Sequence, residues 1–289
     1  MKALHLFLTI LLFLFFSCKE KKKDYFDFIS VNDVKLSEPK PGEWRETREE
    51  KFQTYEDFLN AKKIFPSKEK NTIYLLPIGN FSDLEKNEIE NTREYLQNYF
   101  QLKTIILPTI SENSVPKSAR RTIDSHEQLL AGYILNNILI KNKPKNAVVL
   151  MAITQKDLFP KPEWNYVFGL ASYQNGVGVT SMYRFHDGNL SKEKFNTSLL
   201  RLAKISSHEI GHMFGLNHCL NAICVMNGTN NLTETDEHFA RLCSLCQKKL
   251  NYSLKYDNMK RLIEVNFFFQ KMGYQFETEL SLKDLNALK

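Results

Sequence analysis

The sequence predicts an α/β (α+β) domain in which a mixed sheet packs on helices. Three observations carry this. Short apolar runs bounded by Gly, Pro or polar residues alternate with longer stretches of helical periodicity. The run Ala147 to Ile153 (AVVLMAI) is apolar at every position, as a strand covered on both faces must be. The helical stretches open with residues that cap helix N-termini. At 289 residues and 43% hydrophobic, the chain can bury a sizeable core and lacks the polarity of a disordered polymer.

Met1-Lys2 and the apolar run Leu6 to Phe16, broken only by Thr9, read as an export signal over residues 1–17, too short to span a bilayer. Phe15-Phe16-Ser17-Cys18 is similar to a relaxed bacterial lipobox, in which the cysteine becomes the lipidated N-terminus; the alternative is ordinary cleavage with Cys18 incidental. The charge run Lys19 to Asp24 (KEKKKD) would stay solvated as a tether. An exported lipoprotein, held on a membrane at its periplasmic or cell-surface face in a bacterial source, is the expectation. Without the first 17 residues 38 Lys and Arg face 33 Asp and Glu, a mild net +5 spread along the chain, which points away from nucleic acid. A monomer is expected.

Residues 18–70 are polar and interrupted by Pro39 and Pro41, a tether plus docking segment with one candidate helix over Glu49 to Lys63, where Phe52, Tyr55, Phe58 and Leu59 share a face. The catalytic domain is expected over 71–275. It opens with a buried strand, Thr72 to Gly79. Ser82-Asp-Leu-Glu85 has capping-box form and starts a long helix with Leu84, Ile89, Tyr95, Leu96, Tyr99 and Phe100 mostly on one face. Thr104 to Leu107 is a second strand. Ser125-His-Glu-Gln128 predicts another capped helix, with Leu129, Leu130, Tyr133, Ile134 and Ile138 facing the core and Pro144 stopping it. Val167 to Ala171 and Val177 to Tyr183 follow Ala147 to Ile153 as strands, the second expected at the sheet edge because glycines flank it. Residues 276–289 are expected to form a tail.

Lys194 to Phe214 is one long helical pattern carrying His208-Glu209-Ile-Gly-His212, followed by Met-Phe-Gly215-Leu-Asn-His218. Histidines four apart stand one turn above the other and can reach one metal. Gly215 lets the chain leave the helix through a left-handed turn, which can bring His218 round as a third ligand. Three imidazoles leave a tetrahedral zinc one open position for water, the mark of a catalytic site, and Glu209 is placed to activate that water as general base. Five fixed positions of this kind arise by chance at a probability on the order of 10⁻⁵. Met226 is placed for the methionine turn that metzincins set beneath the metal. Arg184 and Tyr183 could help bind substrate; His126, His186 and His238 lack ligand spacing.

Cys219, Cys224, Cys243 and Cys246 all fall just after this motif, with spacings that suit a closed Cys₄ zinc site; in an oxidising compartment two disulfides are the competing reading. The run HExxHxxGxxHC from His208 to Cys219, then Cys224, Met226 and the later pair Cys243 and Cys246, resembles the archaemetzincin family. The likeness extends to Trp164 to Arg184 (WNYVFGLASYQNGVGVTSMYR) and Tyr74 to Phe81, and so covers most of Thr72 to Leu250. It implies a compact zinc-peptidase fold with a mixed sheet above an active-site helix, two zinc ions per chain (one catalytic, one structural on the four cysteines), and a peptide or protein substrate. The export signal departs from the family's pattern. The competing functions are a catalytically silent binding module on the same scaffold and a non-peptide zinc amidohydrolase.

Overall fold

In the computed structural model the described residues are 23–289 apart from Asp187, so the expected signal segment and Cys18 lie outside the described residues. Among the described residues eight strands form: β1 (Thr72–Ile78), β2 (Lys103–Ile106), β3 (Arg120–Ile123), β4 (His126–Leu130), β5 (Ala147–Thr154), β6 (Asp157–Phe159), β7 (Gly169–Ser172) and β8 (Val177–Ser181). Five make the main sheet in the order β2-β1-β5-β8-β7, parallel except for β7, which runs antiparallel to β8; β3, β4 and β6 make a smaller one.

The central strands β1 and β5 are buried at every position, as their unbroken apolar runs require. Alternate side chains serve opposite faces. Ile73, Leu75, Val149, Met151 and Ile153 pack with the helices Asp83–Phe100 and Lys192–Met213, while Tyr74, Leu76, Leu150 and Ala152 pack with Ile134, Leu135, Ile138 and Leu139 on the other side. The helix at Asp83 starts where its capping box predicts: the Ser82 N–H donates to Glu85 Oε2 at 2.7 Å and the Glu85 N–H to Ser82 Oγ at 3.3 Å.

Four expectations need correction. Ser125 opens no helix: residues 126–130 are strand β4, and helical structure begins only at Ala131. The reason is a two-residue hairpin turn, with Asp124 and Ser125 both at positive φ (45° and 65°), which pairs Ile123 with His126. The sheet edge is β7, since β8 is bonded to β5 on one side and β7 on the other. The glycine in β8 answers a different need: a Cβ on Gly178 would lie 2.5 Å from Met213 Cε, where the active-site helix seats on the sheet. The helix expected over Glu49 to Lys63 is only Tyr55–Asn60, because Thr54 and Asp57 close a capping box that starts it there and residues 49–53 are not helical; two further short helices, Tyr25–Ile29 and Trp44–Thr47, precede it. Residues beyond 275, finally, form the helix Gln275–Ala287.

Both ends of the described chain are tied to the domain through Arg241. Its guanidinium, buried, binds Asp284 through Nε and Nη2 (2.7 and 3.0 Å), Asp33 through Nη1 (2.7 Å) and the Ile29 carbonyl (3.0 Å). A charge this buried is stable because four of its five N–H groups find fixed acceptors, two of them carboxylates. Asp33 also accepts from the Ser244 N–H at the start of the helix that carries Cys246.

Candidate active site

Helix Lys192–Met213 ends just after the second histidine of the motif. Gly215 sits at φ +96°, the Leu216 N–H bonds back to the Gly211 carbonyl (3.1 Å) and the Gly215 N–H to that of His212 (2.9 Å), the paired bonds of a Schellman turn. The turn aims the chain so that His218 returns toward the helix.

One ring nitrogen from each of His208, His212 and His218 lies within 4.8 Å of the other two. Nε2 of His208 and Nε2 of His212 are 3.0 Å apart; two imidazoles sharing one zinc at bond lengths of about 2.0–2.1 Å would stand roughly 3.3 Å apart. The opposite nitrogens are all engaged. His208 Nδ1 donates to the Val225 carbonyl (2.8 Å), His212 Nδ1 to that of Leu216 (2.6 Å) and His218 Nδ1 to Glu50 Oε1 (2.6 Å). Such partners set the tautomer and leave Nε2 as the free lone pair. Burial, then the neighbouring His218, pushes His208 down to about 3, and burial holds His212 well below the ordinary histidine range, so both rings are neutral and able to ligate. The donor set therefore fits a divalent zinc.

Glu209 points elsewhere. Its carboxylate lies against the edge strand: a Cβ on Gly169 would come within 2.7 Å of Glu209 Oε1 and Cγ. Burial pushes this carboxyl up to about 8. Met226 is fully buried below the helix, its Sδ 2.6 Å from where a Cβ on Gly211 would stand. A cleft of about 920 Å³ runs over the site, lined by Gly169, Leu170 and Ala171 of β7, by Glu209 and the three histidines, and by Trp44, Arg48, Trp164 and Tyr173.

The four cysteines are buried, unpaired, and hold their Sγ atoms within 4.8 Å of one another. Cys219 Sγ and Cys243 Sγ are 3.6 Å apart; tetrahedral thiolates on zinc stand roughly 3.8 Å apart, and a disulfide would need about 2.05 Å. Backbone N–H groups of Asn221, Met226 and Cys243 point at Cys219 and Cys224 sulfurs at 3.3–3.4 Å, which suits thiolate rather than thiol. The cluster shares its loop with the histidines: the Cys219 N–H donates to the Met226 carbonyl at 2.7 Å.

Of the other residues considered, Arg184 forms a two-pronged pair with the buried Asp157 and lies over the Tyr166 ring, and Tyr183 stacks on His126, so both support the fold. Among the described residues, His126, His186 and His238 stay outside the three-histidine group. Glu50, Trp44, Gly169 and Tyr173, which stacks on His212 with ring centres 5.0 Å apart, carried no motif that would mark them.

The family model for peptidase family M54 matches residues 140–252, the span that holds the three-histidine group and the four-cysteine cluster. The chain is 32% identical over 253 residues to Archaemetzincin-2 of Pongo abelii, covering 76% of this chain and 70% of that one, and 28% identical over 184 residues to an archaemetzincin of Thermococcus kodakarensis, covering 63% and 97%. The solved archaemetzincin structure from Methanopyrus kandleri superposes with a TM-score of 0.51 at 25% identity, covering 66% of this chain and 99% of that one. The chain thus belongs to the archaemetzincins, and with them it is a zinc metallopeptidase that acts on peptides or proteins.

Proposed function

We propose that the chain hydrolyses peptide bonds with one zinc held by His208, His212 and His218 and with Glu209 as the general base. A second zinc, on Cys219, Cys224, Cys243 and Cys246, is structural. The observation that carries the reading is the convergence of three imidazoles beside a buried carboxylate that faces the cleft rather than the ring nitrogens. When bound, the zinc acidifies water and polarises the scissile carbonyl. Glu209 takes the proton of the attacking water and returns it to the departing amine. The outer edge of β7 borders the cleft, so an extended peptide can add to it as a further strand and place its carbonyl beside Glu209. The decisive comparison is turnover of a mixed peptide library by the parent and by Glu209→Gln, which should keep its zinc and lose rate; a chain with no turnover at all would be a binding module.

The seat of Glu209 yields a further expectation. Gly169→Ala keeps an allowed backbone but must displace the carboxylate, and a misplacement near 1 Å costs about 10²-fold in rate. The kcat of Gly169→Ala should fall by about that factor with zinc content unchanged. A parental kcat would show that Glu209 needs no such seat.

We also propose that the protein is an exported, monomeric lipoprotein anchored through Cys18, a reading supported by the apolar run Leu6 to Phe16 and the charged tether after it. Among the described residues no helix is long and apolar enough to cross a membrane. Metabolic labelling with a fatty acid should mark the parent and fail in Cys18→Ala; labelling that persists in the variant, or is missing from both, refutes the anchor.

A further inference from the structure

We infer that Glu50, on a strap of chain before the catalytic domain, is the positioning residue for the third zinc ligand, His218, and that the strap thereby tunes metal affinity. The inference rests on the proposed three-histidine zinc site. The three ligands differ in where their second nitrogen is anchored. His208 and His212 donate to the carbonyls of Val225 and Leu216, both within residues 140–252, the span common to the family. His218 sits on a loop beyond the helix and has no backbone carbonyl in that role; its Nδ1 donates instead to Glu50, far outside that span.

The carboxylate is itself held. Trp44 Nε1 donates to Glu50 Oε2 at 2.9 Å, and the Trp44 ring meets His218 edge to face with centres 4.9 Å apart. Trp44 is fixed in turn by its backbone N–H, which donates to Glu234 at 3.0 Å, and by Gly228, where a Cβ would come within 2.5 Å of the indole. Further along the strap, Gln53 brackets the ligand loop: its Nε2 donates to the Gly215 carbonyl (3.0 Å) and its Oε1 accepts from the Asn217 N–H (3.2 Å). Lys63 and Phe58 fill the space a side chain on Gly215 would need. The turn that carries His218 is thus clamped from outside at Gly215, Asn217 and His218 itself. An outer carboxylate orients a ligand imidazole and raises its basicity, and losing such a partner weakens metal binding by about 10–100-fold.

Chelator competition on the purified full chain reads zinc affinity at the histidines without reference to turnover. Glu50→Ala should weaken it by about 10–100-fold; Glu50→Gln, whose amide oxygen can still accept from Nδ1–H, should lose less; the cysteine-held zinc should stay bound in both. With Co²⁺ in place of zinc, the visible spectrum of the histidine-bound ion should shift in Glu50→Ala. With zinc kept on the cysteines and stripped from the histidines, the Tm of Glu50→Ala should match that of the parent in the same state, since the Glu50 side chain is 27% exposed and outside the core. Equal zinc affinity in parent and Glu50→Ala overturns the inference while leaving the metal site standing. A Tm that falls, with the histidine site empty, by enough to account for the lost affinity makes Glu50 a folding contact and overturns it too. A parent that takes no zinc at the histidines overturns the site and the inference together.

Discussion

Glu209→Gln should take up as much zinc as the parent and hydrolyse peptides about 10²–10⁴-fold more slowly, the usual share of a general base in the rate. The amide is nearly isosteric, so it can keep the seat against Gly169 and the contacts of the helix. What it cannot do is accept a proton. Burial raises this carboxyl to about 8, and unlike the equally raised Glu88 it lines the cleft beside the histidines. Initial rates on a mixed peptide library, read beside elemental analysis of both proteins, make the test. Equal rates at equal zinc content would remove Glu209 from the mechanism, and a loss of zinc in the variant would show that the substitution had damaged the site rather than the chemistry.

Cys243→Ser should fail to reach the native fold at 37 °C and should lose both metals. A structural zinc site contributes about 10–16 kcal/mol of apparent binding energy, which is folding energy when the site exists only in the folded chain. A whole domain is stable by about 5–15 kcal/mol. The loss would therefore exceed the margin. It should also spread to the histidines, because Cys219 directly follows His218 and its N–H is bonded to the Met226 carbonyl below the helix. Zinc stoichiometry and thermal unfolding by circular dichroism check this: two zinc per parent chain, and an unfolded or metal-poor variant. A parent with one zinc and no titratable thiols would instead assign the four cysteines to disulfides, as an oxidising compartment favours. A variant with parental Tm would make the cluster dispensable.

Much of this architecture was legible in the chain. The strands at Thr72 and Ala147 were readable because a strand buried on both faces must be apolar throughout, and the helix at Asp83 because Ser82 and Glu85 satisfy its first N–H groups locally. The hairpin at Asp124-Ser125 was not. Ser-x-x-Gln before an apolar run is compatible with a helix cap, and only the pairing of β4 with β3 and β6 decided otherwise. The edge position went to β7 for the same reason: the order of strands follows from which surfaces pack, and Gly178 recorded the approach of Met213 rather than an exposed border.

The sequence by itself determined the metal chemistry. His208, Glu209, His212, Gly215 and His218 lie within three turns of chain, so helix periodicity and one left-handed glycine are enough to bring them together, and Cys219 to Cys246 extend the same local logic. Only the tertiary structure decided what holds those residues in place. Gly169 under Glu209, Trp44 against Gly228 and Glu50 on His218 join positions 40 to 184 residues apart, and no spacing rule connects them. Their roles exist because distant backbone segments close on the site, and that closure is set by the packing of the whole core.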